Sequence, residues 1–169
     1  MSAVLQSVST FFLYAVVAVF AQNAVFSRAL GVSRLVKLVD DDSTDSRVFC
    51  LCLCLVQLVS APLAYLANKY ILLALEWHSL IRPLVLLLCS AAALGIVVVA
   101  VTLLKVPIAD KIARTLPMAT FNCAVIGCIL LTTIQNYSLG QTMGFALGSG
   151  LGYTLAVMAV TPDDDVPSQ

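Results

Sequence analysis

"LPMATFNCAVIG", residues 116–127, sets a proline and an Asn-Cys pair at the start of a long apolar run. Proline has no backbone N–H, so it either opens a helix in its first turn or breaks one. The expectation is a helix opened by Pro117 and running over 116–134, with Asn122 and Cys123 about one and a half turns inside it. Thr120 and Asn122 then stand near a helix start, where unpaired N–H groups favour electron-rich ligands. Cys123 and Asn122 are therefore the candidate ligand-holding residues. An ordinary Pro-started helix with one buried cysteine stays open as the alternative.

The surrounding chain decides what kind of helix this is. Of 169 residues, 61% are hydrophobic and 11% charged, with a net charge of zero. Soluble domains carry about a quarter charged residues, and a neutral chain offers no basic surface for nucleic acid. Crossing a bilayer takes about 20 apolar residues. Five stretches reach that length, 8–26, 48–67, 84–104, 116–134 and 139–160, followed by a polar tail at 161–169. Backbone groups in lipid must be paired internally, and the alternation of a barrel strand is absent, so the spans are helices. The fold class expected is all-α, a polytopic transmembrane bundle forming a single domain over 1–169. "MSAVLQSVST" has no Lys or Arg before the first apolar run, so a cleavable leader is not expected.

Basic residues in short loops orient such a bundle. Arg28, Arg34, Lys37 and Arg47 with Lys105, Lys111 and Arg114 fall on one face, and Lys69 and Arg82 on the other. This bias places the N-terminus outside and the first and third connections in the cytoplasm, together with the tail "TPDDDVPSQ". The acidic run "DDDSTD" at 40–45 weighs little in this rule and reads as a solvated loop. "YILLALEWHSLIR", 70–82, is too short to cross and suits a helix lying at the outer interface. His78 has no metal-ligand partner at a useful spacing.

Two further motifs have bland readings beside sharper ones. Gly140, Gly144, Gly148 and Gly152 recur every fourth residue, a small-residue stripe that lets another helix backbone come close. Glycine costs about 1 kcal/mol in a helix interior, so four in register point to packing, with a glycine-rich helix lacking a specific partner as the alternative. "CLCLC" at 50–54 has the look of a metal site. Residues two apart on a helix differ by about 200°, however, so Cys50, Cys52 and Cys54 diverge and read as small apolar filling. Finally, "AQNAV" at 21–25 is a faint echo of "FNCAV" at 121–125, as an inverted repeat would produce.

"LPMATFNCAVIG" closely resembles the Asn-Cys-Ala-Val segment of the small membrane subunits of the Rnf and Na⁺-translocating Nqr complexes, nearest to the A-type subunit of Rnf and the E-type subunit of Nqr. "QNAVFSRALGVS" at 22–33 resembles that family's first half-motif, and the Gly-rich last span fits it too. The resemblance implies a 3+3 inverted repeat of six helices, paired with a homologous subunit of opposite topology in a bacterial inner membrane. It also implies a [2Fe-2S] cluster shared with that partner, and flavin- and ferredoxin-type subunits alongside, in an ion-translocating oxidoreductase. The chain itself would then have no substrate pocket of its own. Carried across, Cys123 matches a cluster ligand and Asn122 its neighbour. Ser33 stands where the first half-motif has its cysteine, the position of a lost ligand. The chain ends at "DVPSQ" where the family continues into a sixth helix, which reads as truncation or as a shortened paralogue. Ser33 also favours a competing class, a non-redox membrane scaffold or transporter half that keeps the fold without the cluster. The coupling ion is not legible, since no Asp or Glu falls within a span.

Overall fold

A computed structural model describes residues 2–20, 46–72, 78–104 and 109–160. Among them the chain is all-helical, in the order α1 Ser2–Phe20, α2 Ser46–Ala67, α3 His78–Leu103, α4 Ala109–Thr120, α5 Cys123–Ile134 and α6 Leu139–Val160. A π-helical turn, Asn68–Leu72, extends α2. Three helical stretches are long and apolar enough to cross a membrane: Ser46–Leu72, Leu80–Leu103 and Leu139–Ala159. The pair α4 and α5 has the composition of a fourth, bent by 55° at its break. The polytopic helical bundle expected from composition is the fold.

Helix α2 is central and packs on α3, α4, α5 and α6, while α1 lies chiefly along α6. The larger core joins Phe49, Leu53 and Val56 of α2 to Ile112, Leu116 and Ala119 of α4, to Ala124 and Val125 of α5, and to Tyr153 and Ala156 of α6. A second cluster gathers Ala18, Ala61, Cys128, Phe145 and Ala146. Small side chains at these contacts are what helix association in lipid requires, because burial from hydrocarbon gives no hydrophobic gain. Large apolar side chains such as Phe12, Leu88 and Val99 are exposed on the outer faces, the surface that acyl chains cover.

Three sequence expectations are corrected. Pro117 does not start a helix: it lies inside α4, and the span expected over 116–134 is two helices, the first beginning at Ala109. The exposed Lys111 and Arg114 thus ride on α4 and not in a connection, with Ile112 and Leu116 turned into the core. Residues 70–82 do not form a separate interfacial helix, since Tyr70–Leu72 complete the turn after α2 and His78–Arg82 open α3. Residues 73–77 lie outside the described residues, as do the first half-motif at 22–33 with Ser33 and the "AQNAV" echo. The ends of α1 and α3 also shift, each helix beginning six residues before its expected span.

The glycine stripe is used in part. A Cβ at Gly144 would strike the backbone carbonyl oxygen of Phe11 and lie 3.1 Å from its carbon. At Gly148 it would strike the carbonyl of Ala15 and lie 2.8 Å from the Ala18 Cβ. Gly140 has nothing within 4 Å. Close approach of α1 to α6 therefore rests on the middle of the stripe. Gly152 is buried.

Candidate broken-helix site

The break between α4 and α5 follows from hydrogen-bonding needs. The Thr120 hydroxyl donates back to the Leu116 carbonyl at 2.8 Å, and Phe121 N–H donates to the Pro117 carbonyl at 3.2 Å. Asn122 N–H then reaches only the Ala119 carbonyl, three residues back, so the last turn of α4 tightens and ends. Asn122 itself is extended, with φ −73° and ψ 135°. Its Oδ1 accepts from Ala124 N–H at 3.0 Å, and its carbonyl accepts from Val125 and Ile126 N–H. These are the bonds of an N-cap, the role to which a short polar side chain is best suited. In apolar surroundings these bonds are what makes a helix start inside the bundle tolerable.

The consequence is that Cys123 is the first residue of α5 and is exposed on the outside of the bundle. Asn122 is 6% exposed, and its Nδ2 is buried without a hydrogen-bond partner. The two residues expected one and a half turns into a helix thus stand at its first turn, one capping inward and the other facing out. Thr120, expected at a helix start, is buried at the end of α4.

Sequence reading missed Gln57. It is fully buried in α2, and its Nε2 donates to the Ala124 carbonyl at 3.5 Å and to Ser149 Oγ at 3.4 Å. Its signal was available: it is the one amide side chain within the 48–67 span. The cysteines of "CLCLC" do not all diverge: Cys50 and Cys54, one turn apart, both turn toward Thr154 on α6, with Cys54 Sγ 3.9 Å from its hydroxyl, while Cys52 is buried elsewhere in the core. Among the described residues no group of three or more His, Cys, Asp or Glu is arranged to hold a metal ion. Cys123 as a ligand would thus contribute a single thiol from this part of the chain. A lone thiol facing outward fits a centre completed by donors from elsewhere, and does not fit one enclosed within these helices.

In sequence the chain is similar to known membrane-complex subunits. The model of the family described as "Rnf-Nqr subunit, membrane protein" matches residues 11–162. The A-type subunit of the ion-translocating oxidoreductase complex of Methanosarcina acetivorans is 28% identical over 140 residues, covering 83% of this chain and 69% of that one. The E-type subunit of the Na(+)-translocating NADH-quinone reductase of Stutzerimonas stutzeri is 27% identical over 150 residues, covering 83% and 73%. Over a shorter stretch of 43 residues, 25% of this chain and 22% of the relative, identity with the A-type subunit from Syntrophotalea carbinolica reaches 46%. With nine tenths of its length inside the family match, this multi-pass chain belongs to the Rnf-Nqr family of membrane-protein subunits.

Proposed function

We propose that the chain is a membrane subunit of an ion-translocating electron-transport complex of the Rnf/Nqr type, and that Cys123 supplies one ligand to a [2Fe-2S] cluster shared with a homologous subunit of opposite topology. The observation that carries this reading is the exposed Cys123 at the first position of a half-helix, in a chain whose relatives are named as subunits of ion-translocating oxidoreductases. Such a cluster would supply one-electron relay. The chain's own residues hold the thiol in place: Asn122 caps the half-helix, and α2 and α6 back it. Ser33, outside the described residues, supports the second reading, a scaffold that keeps this fold without iron.

The test of complex membership is purification of the tagged chain from native membranes. Flavin- and ferredoxin-type subunits should co-elute with it in fixed ratio. Recovery of the chain by itself from gently solubilised membranes would overturn the assignment.

The basic residues give the orientation proposed here, N-terminus outside in an inner membrane, with seven of nine Lys and Arg on the cytoplasmic face. A reporter fused after Lys37 should read cytoplasmic, and one fused after Glu76 external. The opposite signal at both points would reverse the proposed topology.

A further inference from the structure

We infer that Gln57 is a positioning residue that fixes the first turn of α5, and with it Cys123, from the neighbouring helix α2. Its importance for function rests on the reading of Cys123 given above, while its structural action does not.

Ala124 is the residue after Cys123. Its N–H is held by Asn122 Oδ1 at 3.0 Å, and its carbonyl accepts from Gln57 Nε2 at 3.5 Å. Two side-chain amides, one local and one from α2, thus bracket the peptide groups of the first turn. The Gln57 contact is long, and the same Nε2 is shared with Ser149 Oγ at 3.4 Å. For a fully buried amide even a long contact counts, because losing it leaves one of its two N–H groups without a partner in the protein. One amide therefore ties together α2, α5 and α6.

The fold makes room for this amide at Gly150. A Cβ there would lie 2.9 Å from Gln57 Oε1 and 2.8 Å from Cys54 Sγ. Both are the ends of side chains, in contrast with the carbonyl oxygens of α1 that face Gly144 and Gly148. An alanine at 150 would thus press on the amide and on the Cys54 thiol, with the nearest backbone atom, the Cys54 Cα, at an ordinary contact distance of 3.4 Å. Gln57 Oε1, pressed into this space, is buried without a hydrogen-bond partner. A buried amide with one unsatisfied atom is a poor choice for filling volume, since an apolar side chain of the same length would do that at less cost. Its donor toward Ala124 is the gain that sets against this.

The test is hydrogen–deuterium exchange on the full chain in detergent, comparing the amides of residues 122–127 with those of α3. Gln57→Met keeps length and volume but loses the donor, and should raise exchange at 122–127 by about tenfold, the effect of one lost hydrogen bond, with α3 unchanged. Gly150→Ala should reproduce this increase by pushing the amide aside, and the double variant should add little to either change. Gln57→Glu, which as the neutral acid retains one donor, should restore most of the protection. A merely space-filling residue would give the reverse order, with Met protecting better than Glu.

Unchanged exchange at 122–127 in Gln57→Met, or an equal rise in every helix, would overturn the inference. If Gln57→Met fails to fold, Gly150→Ala decides alone, and wild-type protection at 122–127 in that variant would likewise sink it. Exchange needs no iron, so the two readings fail separately. A wild-type complex devoid of iron would end the cluster reading and leave Gln57 in its role, and flat exchange would do the opposite.

Discussion

Gly148→Leu is expected to give a chain that melts far below wild type in detergent or fails to accumulate, whereas Leu147→Ala, one residue away, should be recovered in good yield. The backbone of α1 comes so close to α6 that the first added carbon at 148 already meets the Ala15 carbonyl oxygen and lies 2.9 Å from its carbon. A side chain can rotate away from such a contact, but a helix carbonyl cannot. Relief therefore means moving α1 bodily, and overpacking of this kind costs about 1–3 kcal/mol even where neighbours can adjust. Leu147 is half-buried and its truncation removes contacts without forcing any apart. Gly140→Ala supplies a second contrast, because that position is open, in the first turn of α6, and an alanine there should be tolerated without loss of stability. Equal melting of Gly148→Leu and Leu147→Ala would mean that the α1–α6 contact contributes nothing to stability.

That contrast also marks how far the sequence could be read. Spacing by four revealed the stripe, but each step of four turns about 40° beyond a full circle, so Gly140 lies roughly 80° around the helix from Gly148. A pattern in one helix cannot say how wide its partner is. Nor can it say that Gly150, about 200° from Gly148, faces α2 on the opposite side. The apolar runs were legible because lipid demands them, and four of the five appear as single helices, two starting within two residues of the expected position and two starting six residues before it. The start of α5 was misread because proline is the loudest breaker in a sequence. Here α4 absorbs Pro117 and continues to Thr120, and the break comes where Asn122 can satisfy a helix end by itself. Gln57 was passed over since a lone amide in an apolar run has no motif around it. Its partners, Ala124 and Ser149, are 67 and 92 residues away.

The second large effect concerns iron. If Cys123 is the ligand proposed above, Cys123→Ala is expected to abolish whatever iron and visible absorption the assembled complex carries at this site, and Ser33→Cys to raise both. Serine oxygen is a far poorer donor to such a cluster than thiolate sulfur, so the wild-type chain, with serine at 33, should hold iron weakly. Loss of iron in Cys123→Ala could not be blamed on a damaged core, because Cys123 is exposed. Cys128 supplies the control. Five residues further along α5 it is 3% exposed and packed in one cluster with Ala18, Ala61, Phe145 and Ala146. Cys128→Ala should therefore lower the melting temperature, as deletion of a buried group does, and leave iron per complex unchanged. The pair separates the ligand role proposed for the exposed Cys123 from the packing role of the buried Cys128. Iron that follows Cys128 and ignores Cys123 would reverse that assignment. Iron unchanged by both Cys123→Ala and Ser33→Cys would end the cluster reading and leave the non-redox scaffold in its place.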